Sequence, residues 1–131
     1  MIRYMKNKDI QVLLVDDDHQ VQIAYKAAFE AYEIGFKQAF GGKEALEILK
    51  TFTPNLILLD ILMPEMNGIE LLEIIKKDDV LKKIPVVVIS NSVKESDMEA
   101  AEKLGAEEYI VKSNISIETL MEKTKLYAKK N

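Results

Sequence analysis

The stretch IQVLLVDDDHQ, residues 10–20, drives a nearly unbroken apolar run into three adjacent carboxylates. A short apolar run that ends in polar residues is the pattern of a strand covered on both faces of a parallel sheet. Neighbouring Asp side chains repel one another and are poor strand formers, so Asp16, Asp17 and Asp18 mark the strand's end. What compensates their charge is the question on which the rest of the chain bears.

The alternation repeats outward from this stretch. NLILLD (55–60) and PVVVIS (85–90) are further apolar runs ending in a polar residue, while GFKQAF (35–40) and EYIVK (108–112) are weaker strand candidates expected nearer the sheet edges. Between them apolar residues recur at helical spacing: Val21, Tyr25, Ala28 and Tyr32; Ala45, Ile48 and Phe52; Ile69, Leu72 and Ile75/Lys76; Met98, Ala101 and Leu104; Ile117, Leu120, Met121 and Thr124. Asp18 can cap the first helix and Ser116 the fifth; Gly41-Gly42 and Asn67-Gly68 open the second and third, and Gly105 follows the fourth. Five βα units in strict alternation predict an α/β fold, a parallel sheet with helices on both faces. In such sheets ligands sit in the crevice outside the carboxyl ends of the strands.

The 131 residues suit one domain, 1–131, with a core at about 9–129. A net charge of −4 gives no basic excess for phosphate backbones, so no direct nucleic-acid binding is expected. The chain has no cysteine, no stretch near the roughly 18 apolar residues of a membrane span, and a start, MIRYMKNKD, without the apolar core of a signal peptide. These features predict a cytoplasmic protein without a membrane partner.

Asp16 and Asp17 end the first strand, Asp60 the third, Ser90 the fourth and Lys112 the fifth, which brings all of them to one sheet edge. Two like charges about 4 Å apart repel by roughly 4 kcal/mol at an effective dielectric of 20, so clustered carboxylates ask for a cation. With oxygen donors alone, Mg²⁺ fits better than zinc.

The acidic pair after the first strand, LDILMPEMNG around Asp60, IS at 89–90, and Tyr109 with Lys112 resemble the receiver domain of two-component response regulators, over residues 9 to about 129. The resemblance implies a flavodoxin-like doubly wound (βα)5 fold, a five-stranded parallel sheet of order 2-1-3-4-5. It also implies roles. Asp60 would be the phospho-acceptor; Asp17 and Asp60 would bind Mg²⁺ directly, with Asp16 helping through water and the backbone carbonyl of Leu62 completing the protein ligands. Lys112 and Ser90 would contact the phosphoryl group, and Ser90 with Tyr109 would form the switch. The implied partners are a histidine kinase or phosphotransfer protein as donor and a downstream output protein as reader. No effector domain is expected after the fifth helix.

Two other classes use similar residues. A Mg²⁺-dependent aspartyl phosphatase of the haloacid dehalogenase type pairs its nucleophile with a second Asp two residues on, where this chain has Leu62. A binding module of the same fold that is never phosphorylated has no need of the acidic pair, Asp60 and Lys112 together. Taken singly, strand-end Asp and Ser residues are often caps, Lys112 a surface charge, Tyr109 a half-buried edge aromatic, His19 an exposed first-turn residue, and Lys123 to Lys130 a solvated helix end. Gly41-Gly42 lacks the Gly-Lys-Ser/Thr of a phosphate loop.

The chain departs from the receiver pattern in places. Ser113 follows Lys112 where proline is usual, which argues against a cis bond there, since a non-proline cis peptide costs about 2.5–4 kcal/mol. Asn91 stands at a position usually small, where it would narrow the approach of the phosphodonor or reach the phosphoryl group, and Ser90 replaces threonine while keeping the hydroxyl. Leu62 and Ser92 occupy positions from which a polar side chain could hold a hydrolytic water. Neither is a good base, so a persistent acyl phosphate is expected.

Overall fold

The computed structural model describes residues 6–129; MIRYM at the start and Lys130 at the lysine-rich end, on which two of the expectations above partly rest, lie outside the described residues. Strands β1 (Gln11–Val15), β2 (Gly35–Ala39), β3 (Leu56–Leu59), β4 (Val86–Ser90) and β5 (Glu108–Val111) alternate with helices α1 (His19–Ala31), α2 (Gly42–Ile48), α3 (Gly68–Lys77), α4 (Glu95–Lys103) and α5 (Ile117–Ala128). All strand pairs are parallel and the order is β2-β1-β3-β4-β5, the flavodoxin-like doubly wound arrangement. The two weaker apolar runs are the edge strands.

The apolar runs are continuous because both faces of the sheet are covered. Alternate side chains of one strand feed opposite half-cores. Leu13, Val15, Ile57, Leu59, Val86 and Val88 pack with Leu71, Leu72 and Ile75 of α3 and Ala101 of α4. Val12, Leu14, Leu56, Leu58, Val87 and Ile89 pack with Tyr25 and Phe29 of α1 and Leu120 and Met121 of α5. Each fully buried aliphatic side chain contributes roughly 1.5–3 kcal/mol, so the central strands are the most firmly held part of the molecule.

The expected caps form. Asp18 accepts from the N–H groups of Gln20 and Val21, Asn67 from Glu70 and Ser116 from Thr119. Gly41 opens α2 without a side-chain bond, and Glu44 instead reaches back to the Phe40 N–H at 2.9 Å. Gly105 adopts φ +92°, the left-handed turn that closes a helix.

Two expectations change. The inward face of α1 is Gln22, Tyr25, Ala28 and Phe29, with Val21 and Tyr32 on its flanks, so the stripe contains a polar residue that a search for apolar periodicity passes over. Lys123, expected in a solvated helix end, instead donates to both oxygens of Glu108 at 2.8 and 3.0 Å, tying α5 to β5.

Candidate functional site

With order 2-1-3-4-5, the chain leaves β1 and β3 in opposite directions, and the residues that follow these two adjacent strands face one crevice. Asp16 and Asp17 follow β1, and Asp60 follows β3. Their backbones are fixed by the sheet: the Asp16 N–H donates to Ala39 O at 3.1 Å and the Asp60 N–H to Val15 O at 2.9 Å. Asp16 is 2 % exposed and Asp60 5 %, and carboxylate oxygens of Asp16, Asp17 and Asp60 all lie within 4.8 Å of one another. Asp18 turns away to cap α1, and its own N–H donates to Asp16 Oδ1 at 2.9 Å.

The loop after β3 folds back tightly on Asp60. The Leu62 N–H donates to Asp60 Oδ1 at 3.3 Å, and the Gly68 N–H to Ile61 O at 2.9 Å. A Cβ at Gly68 would collide with the backbone carbonyl of Asp60, so this position admits only glycine without displacing the acidic strand end. Leu62 itself stands 53 % exposed.

Lys112 enters from the turn after β5, with Nζ 2.7 Å from Asp16 Oδ2 and 3.8 Å from Asp60 Oδ2. One ammonium among three carboxylates leaves the cluster short of positive charge. Burial and the neighbouring charge of Asp16 push the Asp60 carboxyl above its ordinary value, against the opposing effects of Lys112, the Ser90 hydroxyl and the Leu62 N–H. An all-oxygen donor set with excess negative charge fits a hard divalent cation, which dehydrates only partly and needs few protein ligands.

The fourth and fifth strands supply a second group of contacts. Ser90 ends β4, fully buried, and its Oγ accepts from the Ser92 N–H at 3.2 Å. Tyr109, half-buried on β5, donates its hydroxyl to Ser92 O at 2.8 Å. Ser92 is 6 % exposed and its hydroxyl donates to Asp97 Oδ2 on α4 at 2.6 Å. Its hydroxyl is thus committed to α4 rather than free to hold a water. Asn91 folds sideways, its Oδ1 accepting from the Ser113 N–H at 3.1 Å, and no peptide bond among the described residues is cis.

Two residues lie beneath the site: Gln22, which a search for apolar period passed over, and Tyr25, which it placed on the inward face of α1. Gln22, 2 % exposed, donates from Nε2 to Asp16 O at 3.0 Å and Ala39 O at 2.9 Å, pinning the strand ends that carry the acidic pair. Tyr25 is pushed up to about 12 by burial and by the charges of Asp16 and Asp60, so the acidic field reaches into the half-core under α1. A polar residue in the i, i+3, i+7 frame of Tyr25 and Phe29 was the available signal for Gln22.

Comparison with known proteins agrees with this geometry. The profile of the response regulator receiver domain matches residues 12–125. The chain is 33 % identical over 116 residues to the polar-differentiation response regulator DivK of Brucella anthropi, covering 88 % of this chain and 94 % of that protein. It is 35 % identical over 111 residues to a probable cyclic di-GMP phosphodiesterase of Vibrio cholerae, where the match covers 83 % of this chain but spans only 25 % of the relative. The structure superposes on the receiver domain of the Francisella response regulator 1452 with a TM-score of 0.82 at 32 % identity, covering 92 % of this chain and 97 % of that one. Matched along nearly its whole length in sequence and in fold, the chain belongs to the family of response regulator receiver domains, the signal-receiving modules of two-component systems.

Proposed function

We propose that Asp60 is the phospho-acceptor of this receiver and that a histidine kinase or phosphotransfer protein of the cytoplasm is its donor. The observation that carries the proposal is the convergence on one buried carboxylate of two further carboxylates, an ammonium and a hydroxyl from four strand ends. A carboxylate oxygen of Asp60 attacks phosphorus of the donor's phosphohistidine. The P–N bond breaks, its electron pair returns to the imidazole nitrogen, which takes up a proton, and Asp60 becomes an acyl phosphate.

Asp17 and Asp60 would hold Mg²⁺ directly, Asp16 through water, and the Leu62 carbonyl would complete the protein ligands. The ion, when bound, offsets negative charge on the phosphoryl oxygens. Lys112, already within 3.8 Å of Asp60, would add a point charge to the transferred group, and the Ser90 hydroxyl a hydrogen bond. Movement of Ser90 toward the phosphoryl group would draw on its contact with Ser92, and through Ser92 on Tyr109, biasing a two-state equilibrium in the face formed by α4, β5 and α5. A downstream output protein would read that face. The phosphatase alternative lacks support at the position that would carry its second acid, where the apolar Leu62 stands.

Acetyl phosphate with Mg²⁺ tests the assignment. Wild-type protein should gain one acid-stable, base-labile phosphoryl group and Asp60→Asn none; full labelling of the variant would overturn it. Beryllofluoride should shift amide signals from Lys94 to Leu126, well beyond the crevice. Shifts confined to the surroundings of Asp60 would mean a passive phosphate carrier.

A further inference from the structure

The β4–β5 ladder ends at the pair Ser90 and Val111, one residue short of Lys112 on its own strand. Past that point each chain departs: β4 into the loop leading to α4, β5 into the short 3-10 turn Lys112–Asn114. The first N–H groups of such a turn have no partner within it. The Ser113 N–H is one of these, and it donates at 3.1 Å to the side-chain oxygen of Asn91, 22 residues away in sequence and next to Ser90. This side chain therefore extends the ladder one step further, at the place where the backbones have parted.

The location gives the bond its consequence. Asn91 is bonded neighbour to Ser90, and Ser113 to Lys112, the two residues whose side chains reach toward Asp60 from this half of the crevice. Lys112 spans from its exposed turn to within 2.7 Å of Asp16, so the position of that turn decides how its ammonium is shared between Asp16 and Asp60. The donor is the Ser113 backbone N–H, which any residue but proline would supply.

We propose that Asn91 is a positioning residue for phosphoryl transfer: its side-chain oxygen latches the Lys112 turn to the Ser90 loop, so that hydroxyl and ammonium are presented to the phosphoryl group as one unit. The proposal rests on Asp60 as phospho-acceptor. Asn91 acts through Lys112 and Ser90.

The test follows labelling of the full chain by acetyl phosphate over a range of Mg²⁺ concentrations. Asn91→Ala removes the acceptor and Ser113→Pro the donor, whereas Ser113→Ala keeps the N–H. Asn91→Ala and Ser113→Pro should each lower the maximal labelling rate by about 3- to 10-fold, the span of one hydrogen bond's net worth, with the half-saturating Mg²⁺ concentration unchanged. Their double variant should be no slower than the slower single one, and Ser113→Ala should match wild type. Amide exchange at Ser113 should accelerate in Asn91→Ala while the urea midpoint stays put, a readout independent of the proline variant. Wild-type labelling by Asn91→Ala, additive losses in the double variant, or equal slowing by Ser113→Ala would each overturn the latch. Failure of the wild-type chain to label would overturn the assignment of Asp60 instead.

Discussion

The two halves of the crevice are built differently. On the β1–β3 side Asp16 and Asp60 are held by backbone hydrogen bonds to Ala39 of β2 and Val15 of β1, by Gln22 from below, and by a loop packed so closely that Gly68 has no room for a Cβ. On the β4–β5 side the residues after the strand ends are joined by side-chain bonds: Ser92 to Asp97, Tyr109 to Ser92, Asn91 to Ser113. Backbone ladders and buried aliphatics form or fail with the whole fold, whereas side-chain bonds between loops can exchange partners locally. The difference teaches that the acidic half is an anchor and the hydroxyl-ammonium half an adjustable clasp, a division that suits a protein that must hold a phosphoryl group and also report it.

The most severe way to break this comparison is Gly68→Ala. Forcing a methyl group into the Asp60 carbonyl should cost about 3 kcal/mol, read as a lower urea midpoint with unchanged slope. Gly41→Ser, where a side chain meets nothing within 4 Å, should stay within about 0.5 kcal/mol of wild type. Equal losses would remove the distinction between a packed and an open connection.

The anchor should also carry a pH signature. Because the folded protein raises the Asp60 pKa above its ordinary 3.8, the folded state keeps a proton that the unfolded chain has lost. Stability without divalent cations should therefore fall as pH rises from that ordinary value through the raised one. Asp60→Asn should flatten this slope and be the more stable protein at neutral pH. Mg²⁺ should raise the melting temperature of wild type by several degrees and of the variant far less. A variant less stable than wild type in metal-free buffer at pH 7 would show that the carboxylate is not under electrostatic strain.

A smaller effect is expected in the clasp. Asp97→Ala removes the acceptor of the Ser92 hydroxyl and should cost about 1 kcal/mol globally. Its local effect should be larger, with faster amide exchange at Ser92 and Lys94, whose N–H groups bond to hydroxyls of this cluster. Exchange that rises uniformly along the chain would place the clasp in the same cooperative unit as the anchor.

The smallest effect concerns Leu62. Replacing this apolar residue with Asn places an amide where hydrolytic water can be held, and loss of phosphate at fixed Mg²⁺ should speed by about 3-fold, equivalent to roughly 0.7 kcal/mol in the barrier. Unchanged or slower hydrolysis would move control of the lifetime elsewhere.

The anchor was legible in the sequence and the clasp largely was not. Apolar runs that stop at Asp16, Asp60 and Ser90 declare both the strands and their polar ends, because a strand buried on both faces leaves a polar residue only at its mouth. The edge positions of GFKQAF and EYIVK followed from their weaker apolarity. Gln22 escaped because a search for apolar period discards an amide, although three backbone carbonyls accept from it. The Asn91 to Ser113 bond joins residues 22 apart and depends on the β4–β5 register, which no local pattern encodes. The burial of Ser92 depends on how its loop meets α4, and a short hydroxyl residue reads alike in either setting.

Leu62 stands at the crevice mouth, more than half exposed, with its N–H on the Asp60 carboxylate. A receiver that loses its phosphoryl group slowly has a long memory relative to the bursts in which a donor arrives. Successive pulses then accumulate on the same population of molecules instead of being followed one by one. Such a protein would filter out rapid fluctuation and pass on the recent average of its input, and the proposed effect of Leu62 on phosphate loss would make one apolar side chain a determinant of that averaging time.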